Sequence, residues 1–539
     1  MKQLLINYVI IFLLTILLAS CLEKRSEKDS FSPPNIVWLV LEDQSPDFFS
    51  FYGDSTISLP NIESLASEGV IFDRAYAPVP VCAPARSSII TGMYPTTLGT
   101  HNMRTYNAYK KENEPSIQIP SYSPVVPDGV RPFTEYLRME GYYCSNNAKE
   151  DYNFKIPESA WDESSKDAHW RNRKGGQPFF SVFNFNVCHE SGIWLQGEQE
   201  LYVSPDSVPV PPYFPDDPII RKDLAVNYSN LKRADDQIGK ILLQLKEDSL
   251  LDNTIIFFYG DHGGPFPRHK RALYETGTRV PMVIRFPESW KRGGRDKRFF
   301  SFIDLAPTVL SLVGIEPPKV MQGEAHFGKY QVNENRENLF TTSDRFDEVY
   351  DRIRAVRNDR YKYIRNFDVK KPYALPVAYR EQMPMMRRLR ELKKTGELNS
   401  VQLLWMAESK PKEEFYDLEN DPFELNNLSL NSDYADTLNS LRSKLDSWMV
   451  ESGDLGGKEE REMMGQWLPN GAQIQLDPVE IIQNEQEIIL KHDRFDVTIL
   501  WRRDSTENWN LYSEPFLKID KIETKAVRIG YADSEISSF

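Results

Sequence analysis

Cysteine and histidine are both scarce in this 539-residue sequence, which has only four cysteines and seven histidines. Four cysteines cannot build the dense disulfide framework that stabilises small secreted domains. Positive charge is also in deficit, because 65 Lys and Arg residues face 79 Asp and Glu residues, for a formal charge of −14. No Lys- or Arg-rich stripe offsets this deficit, so the sequence argues against a nucleic-acid partner. The hydrophobic content of 40% is enough for a large core, and no internal repeat is evident.

The N-terminus carries an apolar run over residues 4–18, preceded by Lys2 and followed by small residues and Cys21. This order is typical of a secretory signal, and the run is shorter than the about 20 apolar residues of a membrane-spanning helix. Its end, Leu18-Ala19-Ser20-Cys21, resembles the lipobox of bacterial lipoproteins. An uncleaved membrane anchor is the alternative. We therefore predict an exported bacterial lipoprotein, at the periplasmic face or the cell surface, with a signal peptide over 1–20, a lipidated Cys21 that reaches the membrane, and a tether over 21–33.

Apolar runs that end abruptly in polar residues recur through the first half of the chain. Residues 35–41, 179–185 and 254–259 each have the pattern of a strand buried on both faces. Apolar residues at helical spacing lie between Asp223 and Leu245. Alternating strands and helices indicate an α/β fold with a large parallel or mixed sheet. Ligands bind at the carboxyl ends of strands in such sheets, and the polar residues expected there are Glu42, Asp43, His189, Asp261 and His262.

The sequence pattern changes twice after this region. Residues 353–364 alternate between apolar and polar side chains around a turn, which predicts a hairpin. The basic segment 382–394 predicts an exposed helix. Short strands with polar turns follow from about residue 468 and predict a small β-sandwich that acts as a packing or positioning module. We therefore predict a catalytic α/β domain over 34–345, a smaller C-terminal α+β subdomain over 346–467 and an appended sandwich over 468–539.

One segment concentrates the residues that could carry chemistry. Cys82-Ala83-Pro84-Ala85-Arg86 is followed by small residues and closes at Thr91-Gly92. Proline suits a first helical turn and glycine a helix exit, so Cys82 is expected at the N-terminus of a short helix. Free N–H groups there favour negative charge. A buried, unreactive cysteine is the alternative that local physics leaves open.

Residues 82–92 resemble the signature of the type I sulfatases. Further landmarks appear in the family's order: the strand that leads to Glu42-Asp43, the segment Asp261-His262-Gly263, the segments that begin at Tyr274 and Leu305, and Phe415-Tyr416-Asp417. The resemblance implies an alkaline-phosphatase-like sulfatase fold over most of residues 34–430. It also implies that a maturation enzyme oxidises Cys82 to formylglycine (3-oxoalanine).

The implied chemistry explains why these residue types occur together. Hydrated formylglycine has two hydroxyls: one attacks sulfur, and the other later expels sulfate as the carbonyl re-forms, so one hard hydrolysis becomes two easier steps. A divalent cation would lower the pKa of the attacking hydroxyl and neutralise sulfate oxygens. By resemblance its ligands are Glu42, Asp43, Asp261 and His262. Calcium is the expected ion and magnesium the alternative. Glu42 could instead hold the ligands in place without binding the ion itself.

The remaining site residues also follow from the resemblance. Arg86 braces the hydrated aldehyde, Lys149 and Lys270 contact sulfate, and His189 gives or takes a proton. Asp151 occupies a position where many relatives have histidine, which leaves the acid for the leaving group unassigned. His101, together with Arg104, is expected to bind the sugar or to supply that acid. A hydrogen-bonded loop histidine is the alternative for His101.

The segment from Asp261 to Tyr274 is similar to that of heparan N-sulfatases, and related exported bacterial sulfatases degrade heparin and ulvan. A sulfated carbohydrate is therefore the expected substrate, without a choice between O- and N-sulfate. Two other functions compete with this hypothesis. One is a phosphoesterase or phosphonate hydrolase of the same superfold, and the other is a catalytically inactive glycan-binding lipoprotein.

Overall fold

The computed structural model of the protein describes residues 33–106 and 119–539. Its strands, in chain order, are β1 (Asn35–Leu41), β2 (Val70–Phe72), β3 (Ala75–Tyr76), β4 (Tyr143–Asn147), β5 (Glu163–Ser164), β6 (Phe179–Phe185), β7 (Thr254–Gly260), β8 (Met282–Arg285), β9 (Gly294–Asp296), β10 (Phe300–Ser301), β11 (Leu339–Ser343), β12 (Ile353–Arg357), β13 (Tyr361–Asn366), β14 (Glu413–Asp417), β15 (Glu480–Gln483), β16 (Glu487–Lys491), β17 (Thr498–Arg502), β18 (Asn510–Leu511), β19 (Phe516–Leu517), β20 (Glu523–Val527) and β21 (Ser537–Ser538). Its α-helices are α1 (Pro60–Glu68), α2 (Cys82–Thr91), α3 (Pro95–Leu98), α4 (Phe133–Met139), α5 (Ser191–Leu195), α6 (Pro218–Glu247), α7 (Glu275–Thr278), α8 (Leu305–Leu312), α9 (Pro384–Thr395), α10 (Ser400–Trp405), α11 (Ala435–Glu451) and α12 (Glu460–Trp467).

The predicted signal peptide and Cys21 lie outside the described residues. Within residues 33–106 and 119–539, no helix combines the length and the apolar character needed to cross a membrane.

The central element is an eight-stranded mixed sheet in the order β5-β4-β6-β1-β7-β8-β2-β9. β1 lies between β6 and β7 and is parallel to both. β4 extends this parallel set beyond β6, whereas β8 is antiparallel to β7. The carboxyl ends of β4, β6, β1 and β7 therefore share one edge, which confirms the α/β prediction.

The apolar sequence of β1 explains its place at the centre of the sheet. Val37, Leu39 and Leu41 belong to the hydrophobic cluster on one face, and Ile36 and Trp38 belong to the cluster on the other. Because successive side chains point to opposite faces, a strand that is apolar at every position can bury both.

Helix α6 crosses one face of the sheet and is longer than the predicted 223–245 segment. It begins with Pro218 at the first helical position, where a missing N–H costs nothing. The side chain of Asp217 accepts a hydrogen bond from the Ile219 backbone N–H at 2.9 Å and caps the helix.

The prediction of an exposed helix near residues 382–394 is wrong in one respect. The helix exists as α9, but Met385, Met386, Leu389 and Leu392 are buried on one of its faces. The basic residues occupy the other face, so the helix is amphipathic and not solvated all round. Its Met385 backbone N–H donates to Asp223 of α6 at 2.7 Å.

Two antiparallel assemblies follow the central sheet. The four-stranded sheet β11-β12-β13-β14 contains the predicted hairpin as β12 and β13, and Leu441 and Leu445 of α11 share a core with Tyr363. The last segment forms two small antiparallel sheets, β15-β16-β19 and β18-β17-β20-β21. Trp501 stacks on Phe516 between them at 4.3 Å, as expected for a small sandwich. Residues 35–539 form one compact unit, and the predicted boundaries at 345 and 467 remain predictions.

Asp223 provides a test of the packing between α6 and α9. Burial raises the pKa of its carboxyl to about 7, although the Met385 N–H opposes the shift. The folded state then holds a proton that the unfolded chain releases, so stability is fully present below about pH 4 and is lost as the pH rises to about 7. The whole effect is at most about 4 kcal/mol, since one pKa unit corresponds to about 1.4 kcal/mol.

We therefore expect Asp223→Asn, which keeps an acceptor for Met385, to unfold at a higher temperature than the parent protein at pH 8 and to lose more than half of this advantage at pH 5. Thermal unfolding at both values measures it. Asp236→Asn, at an exposed position of the same helix, is the matched control. An equal change for Asp223→Asn at both pH values would contradict the assignment.

Candidate active site

Cys82 is the first residue of α2 and is almost fully buried, with 1% of its surface exposed. Its Sγ lies 3.2 Å from Nε2 of His262, 3.5 Å from Nζ of Lys270 and 3.8 Å from Oδ1 of Asp43. The prediction that Cys82 begins a short helix is confirmed, as is the glycine exit, because Gly92 adopts φ 71°. The helix N-terminus and the ends of β1 and β7 thus meet at one sulfur atom.

The surroundings of Cys82 favour negative charge at this position. Burial opposes ionisation, but Lys270, Lys149 and His262 together hold the pKa of the thiol below its ordinary value. A buried structural cysteine would instead have a raised pKa. Cys144 and Cys188 are such cases, since burial raises the pKa of each thiol well above its usual range. Cys82 is therefore electrostatically different from the other two cysteines in the described part of the chain.

A candidate metal site surrounds the same sulfur. One ligand atom from each of Asp43, Cys82, Asp261 and His262 lies within 4.8 Å of all the others, and all four residues are buried. Nδ1 of His262 lies 2.9 Å from the Gly263 carbonyl oxygen, which can only accept, so the neutral ring presents Nε2 as a lone pair.

The chemistry of this group suits a cation. Burial lowers the pKa of His262, but Asp261 and Asp43 overcome it and raise the pKa to about 10. Two buried carboxylates that hold a proton this strongly would also attract a metal ion. Three of the four predicted ligands are therefore brought together.

Glu42, the fourth predicted ligand, is not part of this group. Its Oε1 accepts a hydrogen bond from Nζ of Lys149 at 2.7 Å and lies 3.8 Å from Nη2 of Arg86. The structure thus places Glu42 against Lys149, which is predicted to contact sulfate, and Arg86, which is predicted to brace the aldehyde. This position is closer to the supporting role that the sequence left as an alternative.

Arg86 connects the site to the neighbouring strands. Its Nη2 lies 3.1 Å from Asp261, and its Nη1 donates to Oδ1 of Asn184 at 2.7 Å. Asn184 in turn donates to Asn146 and to the Asn147 carbonyl of β4, at 3.2 and 3.1 Å. Asn184 was not predicted, because an amide inside an apolar strand has no distinguishing pattern in the sequence.

Lys270 is fully buried among the acidic residues. Its Nζ donates to both carboxylate oxygens of Asp43, at 3.0 and 2.8 Å, and lies 3.3 Å from Nε2 of His189. The other ring nitrogen of His189 lies 2.8 Å from Oγ of Ser191. His189 and Lys270 are therefore in contact just beyond the end of β6.

Glu190 is a functional residue that sequence reasoning missed. Its carboxylate accepts two hydrogen bonds from Arg271, at 2.9 and 2.7 Å, and lies 3.3 Å from Lys270. Its backbone N–H donates to Asp43 at 2.6 Å. Burial opposes the charge, but Arg271 and Lys270 hold the pKa of Glu190 far below its ordinary value. The adjacent cations Lys270-Arg271 were the available signal, since two buried cations require a carboxylate.

A cleft of about 750 Å³ opens onto this site. Cys82 lines it, together with five other predicted residues: Glu42, Arg104, Lys149, Asp151 and His189. Arg104 is held by an ion pair with Asp347 at 2.6 Å and lies over the Tyr379 ring at 5.2 Å. Asp151 lies 3.9 Å from Lys149. Arg104 and Asp151 thus both line the cleft.

His101 is not brought to the cleft, which corrects the prediction of a sugar or acid role. It is 2% exposed and is absent from the residues that line the cleft. Burial lowers the pKa of its imidazole, and the neighbouring charges are Asp344 and Arg354. His101 is thus a buried loop histidine, and its Nδ1 has no hydrogen-bond partner among the described residues.

The large mixed sheet flanked by helices, with antiparallel sheets after it, defines an alkaline-phosphatase-like fold. Comparison with known proteins then identifies the family: the sulfatase family model matches residues 34–315, and a model for the C-terminal part of N-sulphoglucosamine sulphohydrolase matches residues 260–385. An ulvan-active sulfatase of Formosa agariphila is 40% identical over 95% of this chain and 92% of its own. The chain therefore belongs to the sulfatase family and is a sulfuric ester hydrolase.

Two more distant similarities agree with this assignment. The human N-sulphoglucosamine sulphohydrolase is 24% identical over 78% of this chain and 91% of its own. A solved structure, a complex with its substrate D-glucosamine-2-N,6-O-disulfate, shares the fold with a TM-score of 0.57 at 18% identity, over 79% of this chain and all of that one.

We expect Glu190→Gln to lower both stability and turnover, because it leaves Lys270 and Arg271 without their shared carboxylate. Breaking a buried ion pair costs about 3–5 kcal/mol when one charge is left alone, and loss of Lys270 alignment should reduce kcat at least about tenfold. Thermal unfolding and sulfate release measure the two effects. Glu150→Gln, at the edge of the same cleft, is the control and should change neither. Full activity of Glu190→Gln would show that Lys270 needs no such support.

Proposed function

We propose that this sulfatase removes sulfate groups from sulfated glycans, with formylglycine derived from Cys82 as nucleophile and a bound divalent cation, calcium or alternatively magnesium. The observation that carries the proposal is the position of Cys82 at the start of α2, within reach of His262, Lys270 and Asp43. A nucleophile here would face cations on one side and the cleft on the other.

The described residues fit a cation. Asp43, Asp261 and His262 would hold it, as two carboxylates and one imidazole nitrogen. Glu42 remains a proposed ligand only if its carboxylate turns away from Lys149. A bound divalent ion supplies positive charge to the sulfate oxygens and to the nucleophile. Carboxylate oxygens favour calcium or magnesium, whereas the imidazole nitrogen is less usual for either.

The chain's own residues then bind and orient the sulfate. Lys149 lines the cleft beside Cys82, and Lys270 donates to Asp43 next to the sulfur, so the two ammonium groups can approach sulfate oxygens from the cleft and from within. Arg86 is fixed by Asp261 and Asn184 and so presents its charge with little freedom. Fixed donors of this kind stabilise charge that develops in the transition state.

His189 is the group best placed to move a proton. It lines the cleft, and Ser191 and Lys270 hold its two ring nitrogens. Protonated, it can donate to the oxygen or nitrogen of the departing sugar. Neutral, it can accept from the second hydroxyl of the hydrated aldehyde. Asp151 on the same cleft is the second candidate for the leaving-group acid.

A glycan substrate is supported by the relatives and by the cleft. The Formosa agariphila relative is ulvan-active, and the solved complex holds a disulfated glucosamine. The cleft combines charged residues with Tyr106, Tyr152 and Tyr379, and aromatic rings beside hydrogen-bonding groups suit the apolar faces and hydroxyls of a sugar. Both O-sulfate and N-sulfate remain within this proposal.

Export and anchoring complete the proposal and rest on the sequence. A lipid on Cys21 would hold the enzyme at a membrane face, and a formylglycine-generating enzyme would act on Cys82 during maturation. An exported location would give the enzyme access to polysaccharides that do not enter the cell.

The alternative of a phosphoesterase or phosphonate hydrolase is less supported. The two relatives described above are named as a sulfatase and a sulphohydrolase. The alternative stays testable because phosphate and sulfate differ mainly in charge and oxygen geometry. A catalytically inactive glycan binder is also disfavoured, because Cys82, Arg86 and the acidic cluster are all present.

Cys82→Ser, produced in a host that does not modify serine, is expected to bind substrate but to lose at least about 10³-fold in turnover, because no aldehyde can form. Turnover is measured with an aryl sulfate and the matched aryl phosphate, and mass spectrometry of the peptide around position 82 reports the oxidation. Cys144→Ser is the matched control. Near-normal activity of Cys82→Ser, or an unoxidised thiol in fully active protein, would contradict the nucleophile assignment, and a strong phosphate preference would favour the alternative function.

Removal of divalent metal is expected to abolish turnover, because Asp43 and Asp261 would then pair with Lys270, Arg86 and a protonated His262 and leave no charge for sulfate. Dialysis against a strong chelator, followed by addition of calcium or magnesium, measures loss and recovery and ranks the two ions. An unchanged rate after chelation, with metal content shown to be negligible, would refute the cation.

A further inference from the structure

The C-terminal sandwich touches the segment that forms one wall of the cleft. Residues 149–156 all line this cleft, and the acidic and basic residues at the end of the segment face β20 and the turn after it. Lys525 of β20 lies 2.9 Å from Glu158 and 3.1 Å from Asp533. Asp533 in turn lies 3.6 Å from Lys155.

These four residues form a chain of alternating charge from Lys155 through Asp533 and Lys525 to Glu158. Lys525 is its least exposed member, with 9% of its side chain exposed, so its charge must be matched locally. Lys155, by contrast, has 48% of its side chain exposed. Its ammonium group has three donors, and a partner at 3.6 Å leaves donors for a ligand. Its backbone N–H is fixed separately, by Oγ of Ser123 at 3.2 Å.

The sandwich itself is firmly docked, so this network has a rigid base. Arg528 donates to Asp128 and to the Val126 carbonyl, both at 3.0 Å, and Arg131 donates to the Val497 carbonyl at 2.8 Å. Gly530 adopts φ 87°, and a Cβ there would lie 2.4 Å from the Pro124 carbonyl oxygen. Close backbone contact of this kind fixes the position of β20 relative to the cleft.

We propose that Lys155, held at the cleft by Asp533 and Lys525 of the C-terminal sandwich, forms a second anion subsite for the glycan. The subsite rests on the proposed function, and it takes an anionic group of the sugar chain other than the sulfate that is removed: a second sulfate or a uronate carboxylate. A cleft of about 750 Å³ is large enough for more than one sugar ring, so both groups can be held at once. Lys155 is thus a specificity residue, and Asp533 and Lys525 are positioning residues.

The experiment compares Lys155→Met with the parent enzyme on sulfated oligosaccharides from ulvan and from heparin, each in native, carboxyl-reduced and partially desulfated form. Loss of one charge-assisted contact should raise KM about tenfold on native substrate, which corresponds to about 1.4 kcal/mol, while kcat stays within about twofold. The effect should vanish in whichever modified form lacks the recognised anion, which distinguishes carboxylate from sulfate. Hydrolysis of an aryl sulfate should be unchanged.

Two further variants separate the subsite from its support. Asp533→Asn should raise KM on the native oligosaccharide by about threefold, because Lys155 loses the carboxylate that orients it. The KM for aryl sulfate should not change. Lys518→Met, at an exposed position of the same sandwich, is the matched control and should behave as the parent. An unchanged KM for Lys155→Met would overturn the subsite. The same rise in KM on the native, carboxyl-reduced and partially desulfated oligosaccharides would also overturn it. An unchanged or lower KM for Asp533→Asn would overturn the positioning role.

The proposed function and the subsite can fail separately. If formylglycine-containing parent protein hydrolyses no sulfate, the function fails, and calorimetric binding of the same oligosaccharides to Cys82→Ser and to Cys82→Ser/Lys155→Met still tests the subsite. An affinity about tenfold lower for the double variant supports it, and equal affinities refute it.

Discussion

The interaction on which this site depends is the mutual neutralisation of buried carboxylates and cations at one edge of the central sheet. Glu42, Asp43, Asp261 and Glu190 are each at most 1% exposed. Each lies within 3.1 Å of a basic side chain, and the basic partners are Lys149, Arg86, Lys270 and Arg271. Removal of any one partner leaves a charge in a medium where isolated ions are costly. The network of ion pairs therefore fixes these side chains in one arrangement. A reaction centre also requires side chains that are fixed in place.

The parallel strands explain how so many charges come to one place. β1, β6 and β7 are mainly apolar and are buried within the sheet, so charged residues are excluded until each strand ends. Because the strands are parallel and in register, these ends coincide. Helix α2 adds its N-terminus at the same point and brings Cys82 and Arg86 to it. The chemistry of the site is thus a consequence of where the hydrophobic core stops.

The sequence predicted where the site residues lie along their strands and helices better than it predicted which side chains they contact. Apolar runs followed by Glu42-Asp43 or Asp261-His262 specify strand ends, and the spacing around Cys82 specifies a helix start, because these signals are local. The contact of Glu42 with Lys149 is not local, since it depends on where β4 lies in the sheet. The burial of α9 was mispredicted for a similar reason: its basic residues dominate the sequence, whereas the apolar face becomes evident only against α6. Glu190 follows the predicted His189, but its place in the site becomes evident only from its ion pair with Arg271, which lies far away in the sequence.

The near balance of charge has a consequence for substrate binding. The four buried carboxylates and the four basic side chains named above cancel, and His262 is neutral whenever its Nε2 serves as a ligand. A sulfate ester carries negative charge, and a neutral cluster of fixed ions offers it little net attraction. A divalent cation among Asp43, Asp261 and His262 would change this by giving the site an excess of positive charge where the sulfate must lie. Lys149 could then turn from Glu42 toward the substrate, because Glu42 would have a second positive partner. On this argument a bound cation and a free lysine would be linked: Asp43, Asp261 and His262 would hold the ion, its positive charge would add to the site, and Lys149 would be free of Glu42 to contact the sulfate.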